Sequence, residues 1–273
     1  MHHIGNLKET PSRPGVYAGH ADGYARFPIV DRAAGSVHQV VAVAELAPGG
    51  NVPLHAHAYE EAIYVLGGSL VLTVAGVDEG LVPDDYAFVQ AGVAHSLANR
   101  SAETVRWYEL GAPQASDGFE DTVFLTETSP ETDVDVPFHR GHFEAAELPP
   151  PSDTLGLAGF GAANVGGATL KMLIDGEFGA SQFNLFLVEY VPGGLIKEHD
   201  HPFEESFFVV SGEIEAVLDG TAYDLQAGDY CWSSAASMHA FTNRSAAPVR
   251  WIETQVPQPP SRHQARFRGD WEG

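Results

Sequence analysis

The chain has 273 residues with 44% hydrophobic side chains, enough to bury a sizeable core in one large domain or two ordinary ones. Its 37 acidic residues against 14 basic ones give a formal charge of -23, which repels phosphate backbones and anionic lipid surfaces and argues against nucleic-acid and membrane partners. No apolar run approaches the roughly 20 residues that span a bilayer, and Met1 to Gly5 lacks a basic region ahead of an apolar stretch, so a soluble, cytoplasmic protein is expected.

Glycine (29) and proline (18) are plentiful and regular helical patterns are hard to find, which predicts an all-β protein rich in turns. In chain order, short apolar runs come first at Ala62 to Leu66 and Ser69 to Val74. An acidic stretch rich in Ser, Thr and Pro follows from Gly111 to Pro151, with one further candidate strand at Thr122 to Leu125. Apolar runs return at Phe207 to Val210 and Ile214 to Leu218, the latter closed by the hairpin signal Asp219-Gly220. Cys231, the only cysteine, lies inside an apparent strand with no basic neighbour to lower its pKa, and reads as a small buried residue.

Comparing the chain with itself reveals a duplication. Ala47-Pro48-Gly49-Gly50 recurs as Val191-Pro192-Gly193-Gly194, Asn99-Arg100-Ser101-Ala102 as Asn243-Arg244-Ser245-Ala246, and Val105-Arg106-Trp107 as Val249-Arg250-Trp251. The offset is 144 in every case, so two copies align without a gap and each strand has a counterpart. The expected organisation is an N-terminal domain over 1–125, a linker over 126–150 and a C-terminal domain over 151–273, each domain a small antiparallel β-barrel. Exposed barrel edges leave pairing between chains, as a homo-oligomer, open.

Inside the repeat lie His55, His57, Glu61 and His95, matched at the same offset by His199, His201, Glu205 and His239. Side chains an even number of residues apart on one strand share a face, so His55, His57 and, on an unbroken strand, Glu61 point to one interior position. His95 and His239 would come from a neighbouring strand. Three imidazoles and a carboxylate suit a divalent first-row transition metal such as Fe, Mn, Ni, Zn or Cu, with up to two ions per chain. The other histidines, His20, His38, His139, His142 and His263, have no such partners and read as surface or structural residues, and His2 and His3 as incidental contacts.

On these residues the chain resembles the cupin superfamily in its two-domain bicupin form. The first cupin motif fits Gly49, His55, His57, Glu61 and Gly68, and again Gly193, His199, His201, Glu205 and Gly212. The second fits Gly92, His95 and Asn99, and Gly228, His239 and Asn243; Asp84, Gln90, Ser234 and Ala236 depart from it at turn positions. The resemblance implies two double-stranded β-helix, or jelly-roll, barrels and the eight residues above as metal ligands. It covers dioxygenases, oxalate decarboxylases, isomerases and storage proteins alike, so the surroundings of the metal must decide the reaction.

Lys197 shares a strand face with His199 and would put an ammonium near the second metal, against the alternative of an exposed charge at a strand end. Phe183, Phe207, Phe208, Trp232 and Phe241 replace Gln39, Ile63, Tyr64, Phe88 and Leu97 of the first copy, so the second copy is the more aromatic. Both features point to the C-terminal site for chemistry on a small-molecule substrate, with Glu205 and Lys197 as catalytic residues. A dioxygenase is favoured over a ureidoglycine aminohydrolase-like hydrolase, whose ligand pattern differs, and over a non-catalytic binding module. Oxalate decarboxylation fits less well, because the ligand strands carry no arginine to clamp a dicarboxylate.

Overall fold

The computed structural model describes residues 1–13, 15–116, 120–126, 139–153, 163–260 and 264–268. Its two halves are built alike, as the constant offset requires. In the first, β2 (Asp22–Val30), β3 (Val40–His57), β4 (Glu60–Gly67), β5 (Leu70–Val74), β6 (Val77–Leu81), β7 (Asp85–Val89), β8 (His95–Ala98), β9 (Val105–Ala112) and β10 (Thr122–Phe124) follow in sequence. In the second, β12 (Val165–Ile174), β13 (Asn184–Asp200), β14 (Glu204–Ser211), β15 (Glu213–Leu218), β16 (Thr221–Gln226), β17 (Asp229–Ser233), β18 (His239–Thr242), β19 (Val249–Val256) and β20 (Arg266–Phe267) repeat them. The expected hairpin at Asp219-Gly220 joins β15 to β16 with both residues at positive φ, and Ala75-Gly76 does the same between β5 and β6.

Alternation decides which face is inside. Leu70, Leu72 and Val74 of β5 are buried between partly exposed Val71 and Thr73, and Ile214, Ala216 and Leu218 of β15 repeat the pattern. Each half thereby closes an antiparallel sheet around its own apolar interior.

One strand of each sheet comes from outside its own run. β1 (His2–Asn6) pairs with β17, in the second half, whereas β11 (His139–His142) pairs with β7, in the first. The two docked strands match each other: Gly5 lies under the ring of Tyr230 and Gly141 under that of Tyr86, positions where a β-carbon would collide with the ring. Asn6 donates to Asp229 at 2.5 Å, and His142 Nδ1 lies 2.6 Å from Asp85. Within 126–150, residues 127–138 lie outside the described residues.

A third apolar cluster joins the halves, with Phe88 edge-on to Phe183 and Tyr108 beside Phe208. It is bracketed by two buried carboxylates. Glu60 accepts from the amides of Ser181 and Gln182 and the Ser181 hydroxyl; Glu204 accepts from the Ser36 hydroxyl at 2.6 Å, the Val37 amide at 2.9 Å and Trp232 Nε1 at 3.2 Å. Each glutamate immediately precedes a predicted metal ligand and points the opposite way, into the other half.

Candidate metal centres

In the first half, β3 ends on His55 and His57, β4 brings Glu61, and β8 opens with His95. The strand does not run on unbroken: Ala58 and Tyr59 separate β3 from β4, so Glu61 reaches the site from the next strand. The donor atoms of the three histidines lie within 4.8 Å of one another. Glu61 Oε2 is 3.0 Å from His95 Nε2 and 3.7 Å from His57 Nε2. The Nδ1 atoms all face oxygen partners: the carbonyls of Pro53 (2.7 Å) and Val93 (2.9 Å) for His55 and His95, and the Thr122 hydroxyl (3.0 Å) for His57. These partners orient the rings so that Nε2 is presented inward.

The second half repeats this with His199, His201, Glu205 and His239. Glu205 Oε2 is 3.0 Å from His239 Nε2 and 3.3 Å from His201 Nε2, while the Nδ1 atoms face the carbonyls of Lys197, Gln264 and Ser237. All eight predicted ligands thus converge in two sets of four. Both sets are almost wholly buried, and His55 Nε2, His95 Nε2, both Glu61 oxygens and Glu205 Oε2 have no hydrogen-bond partner. Buried polar atoms left this way are costly unless something binds them, and a three-nitrogen, one-carboxylate set fits a first-row divalent ion.

The electrostatics suit a cation. Burial, then His95 and His57, hold His55 down to about 3, and burial takes His57 to about 4. Burial opposes ionisation of Glu61, but His95, His57 and His55 keep its carboxyl at about 2. Burial likewise opposes ionisation of Glu205, and His201 and His239 keep it below the usual range. Neutral His55 and His57 beside an ionised Glu61 are protonation states that ligate a metal, whereas in the second centre, against burial, the hydrogen bond and charge of Glu205 raise His239.

The two centres differ in what surrounds them. In the first, the hydroxyls of Tyr17 and Tyr59 lie 3.1 and 3.4 Å from His57 Nε2, and the Tyr59 ring stacks on that imidazole. Nearby, Arg26 Nε donates to Glu109 at 2.9 Å, and Tyr24 donates to the same carboxylate. At the equivalent places the second copy carries Phe203 for Tyr59, Leu170 for Arg26 and Ala168 for Tyr24. Phe203 stacks on His201 but brings no hydroxyl. Gln255 replaces Gly111 and donates to Glu205 Oε1 at 3.0 Å, so that oxygen is occupied where Glu61 Oε1 is not. Beside Glu205, Glu253 is pushed well above the usual carboxylate range by burial and by the Glu205 charge. Aligning the copies beyond their shared motifs would have exposed these substitutions.

One expectation about the second centre fails. Lys197 does not join it: the lysine is exposed, because a bulge between Ile196 and His199 interrupts the pairing of β13 with β18 and breaks the even-spacing rule there. Its backbone carbonyl, not its ammonium, serves the site. Of the five aromatic replacements, Phe207 and Phe241 line the centre, whereas Phe183, Phe208 and Trp232 pack between the halves. With Trp251 and Tyr190 they leave a cavity of only about 30 Å³.

Two jelly-roll sheets in one chain, each closing on three histidines and a glutamate, define a two-centre metal-binding bicupin. The cupin domain model matches residues 42–111 and 186–254, more than half of the chain, and the chain belongs to that family. It is 26% identical over 245 residues to quercetin 2,3-dioxygenase of Bacillus subtilis, covering 77% of this chain and 71% of that protein. Among solved structures it is similar to an oxalate decarboxylase from Lactobacillus farciminis in complex with formate (TM-score 0.68, 16% identity, 98% of this chain and 89% of that one). It is similar also to a putative glyoxylate-induced protein from Pseudomonas aeruginosa (TM-score 0.69, 20% identity, 93% and 89%). Among the described residues no helix is long and apolar enough to cross a membrane.

Proposed function

We propose that the chain is a metal-dependent oxidoreductase of the dioxygenase kind, acting on a small oxygen-bearing molecule. The observation that carries this reading is the pair of buried three-histidine, one-glutamate sets, each converging on one point of its barrel. Similarity to a quercetin dioxygenase over most of the chain supports the reaction class. His55, His57, Glu61 and His95, or His199, His201, Glu205 and His239, would hold a first-row divalent ion, which would supply Lewis-acid or redox activation.

The chain's own residues do the rest. Carbonyls and the Thr122 hydroxyl on the Nδ1 atoms fix the imidazole tautomers, and Gln255 pins one oxygen of Glu205. The apolar walls exclude water, which strengthens every polar contact inside. Metal analysis with oxygen uptake against a panel of enols, catechols and diketones tests the proposal. Turnover of one panel member that disappears on chelation is the expected result; a redox metal bound in full with no oxygen consumed on any member refutes it.

A further inference from the structure

Tyr17 lies outside both cupin motifs, yet it sits against the first metal centre. It belongs to the turn over Val16 to His20, where the amides of His20 and Ala21 donate to its carbonyl at 3.0 and 3.1 Å. The side chain is 1% exposed, and three rings hold it edge-on: Tyr24 of β2 at 5.0 Å, His55 of β3 at 4.9 Å and Phe124 of β10 at 6.4 Å between centroids. A phenol packed on its ring in this way has one polar atom left to place. That atom meets the ligand set: the Tyr17 hydroxyl lies 3.1 Å from His57 Nε2, its one hydrogen bond among the described residues.

A metal ion on His57 takes the Nε2 lone pair that the phenol uses. Tyr17 is then buried without an acceptor, a costly state unless its oxygen finds another partner. First-row divalent ions bind nitrogen and oxygen at about 2.0–2.2 Å, so two neighbouring donors lie about 2.8–3.5 Å apart. Tyr17 Oη stands at that spacing from His57 Nε2, as Glu61 Oε2 does at 3.0 Å from His95 Nε2. Tyr59 differs. Its hydroxyl is 3.4 Å from the same nitrogen, but its ring stacks on the imidazole at 15°, so that oxygen lies over the ring face and away from the lone pair. Tyr17, tilted at 38° with centroids 5.9 Å apart, approaches by its hydroxyl alone.

We propose that Tyr17 is a fifth protein ligand of the first centre, bound through its phenolate oxygen. The O–H bond breaks as the oxygen–metal bond forms, and the proton passes to the solvent buffer. Glu61 and Tyr17 together set two negative charges against the ion, which suits one that reaches the trivalent state, such as iron or manganese. In the second copy Phe203, Phe207 and Phe241 wall the centre, and the stretch one repeat after Tyr17, Asp153 to Asn164, contains no tyrosine. This assignment rests on the metal-dependent reading above, and its test is therefore spectroscopic rather than one of turnover.

The full chain is loaded with iron(II) under argon and oxidised with ferricyanide, and iron is counted in every variant. A phenolate on iron(III) gives a visible charge-transfer band, and Raman excitation within it enhances the phenolate ring modes; imidazole and carboxylate ligands give neither. The wild type is expected to show both signals. They should persist in Y59F and H199A, and be lost in H55A and in Y17F. Y17F keeps the buried ring and the other four ligands, so both irons should stay bound. Iron(III) bound in full by the wild type without the band, or a band that survives in Y17F, overturns the assignment and leaves the metal reading standing. A wild type that takes up no iron also overturns it, while analysis with the other first-row ions still judges the reading on which it rests.

Discussion

Glu204 and Glu205 are neighbours on β14 with opposite duties, and replacing each by alanine separates them. Glu204 is 3% exposed and accepts three hydrogen bonds, from the Ser36 hydroxyl, the Val37 amide and Trp232 Nε1. E204A leaves the buried Trp232 Nε1 without its acceptor and removes the acceptor that the Ser36 hydroxyl and the Val37 amide reach across the contact between the halves, each bond worth about 1–3 kcal/mol. Because one cavity and one relaxation are shared, the sum is not simple, and a loss of about 3–5 kcal/mol is expected. Urea unfolding followed by tryptophan fluorescence reads this as a lower midpoint with little change in slope, since the buried surface is nearly the same. Metal content should stay at the wild-type value, because Glu204 points away from the centre. E205A should do the reverse, removing one ion per chain. A loss below about 1 kcal/mol in E204A, or loss of its metal, would refute the idea that alternate faces of β14 divide stability from ligation.

Chelation should lower the thermal midpoint of the wild type, and H55A and H199A should each reduce the metal content by one ion per chain; equal content in wild type and both variants would contradict two independent centres. In metal-free protein, E253Q should be more stable than wild type at pH 7–8 and equal to it below about pH 4. Folded Glu253 keeps its proton above the ordinary value of 4.5 while the unfolded chain releases it, which costs the wild type up to about 1.4 kcal/mol per pH unit on that rise. Urea midpoints at pH 4, 6 and 8 check this, and a constant difference would count against it. G5A and G141A should each loosen one exchanged strand by about 1–3 kcal/mol, because the new methyl meets Tyr230 or Tyr86. Faster amide exchange confined to β1 and β17, or to β11 and β7, is the signature sought.

The eight ligands were legible because strand alternation and a gapless repeat both act locally and reinforce each other. Their surroundings were not. Arg26 lies on β2, whose place beside β3 is set by the sheet rather than by spacing, so an arginine near the first centre was invisible until the strands were paired. Lys197 misled because even spacing holds only on a regular strand, and the bulge that breaks the register has no marker in Leu195 to His199. The aromatic comparison overlooked parity: Phe207 and Phe208 are adjacent, so only one can face the metal. Nothing in the sequence marks Glu60 and Glu204, because their partners across the contact between the halves lie more than 120 and 160 residues away.

The exchanged strands also impose an order on synthesis. β1 is made first, yet Asn6 meets Asp229 across 223 residues of chain. At translation rates of about 5–20 residues per second, β1 waits on the order of 10–45 s for the edge it will cover. Until β17 emerges, β1 has no place to dock, and a β17 released from one ribosome presents the same edge to the β1 of a neighbouring nascent chain. Dense polysomes would thus favour intermolecular pairing, and the yield of protein with β1 on its own β17 should fall as expression is driven harder.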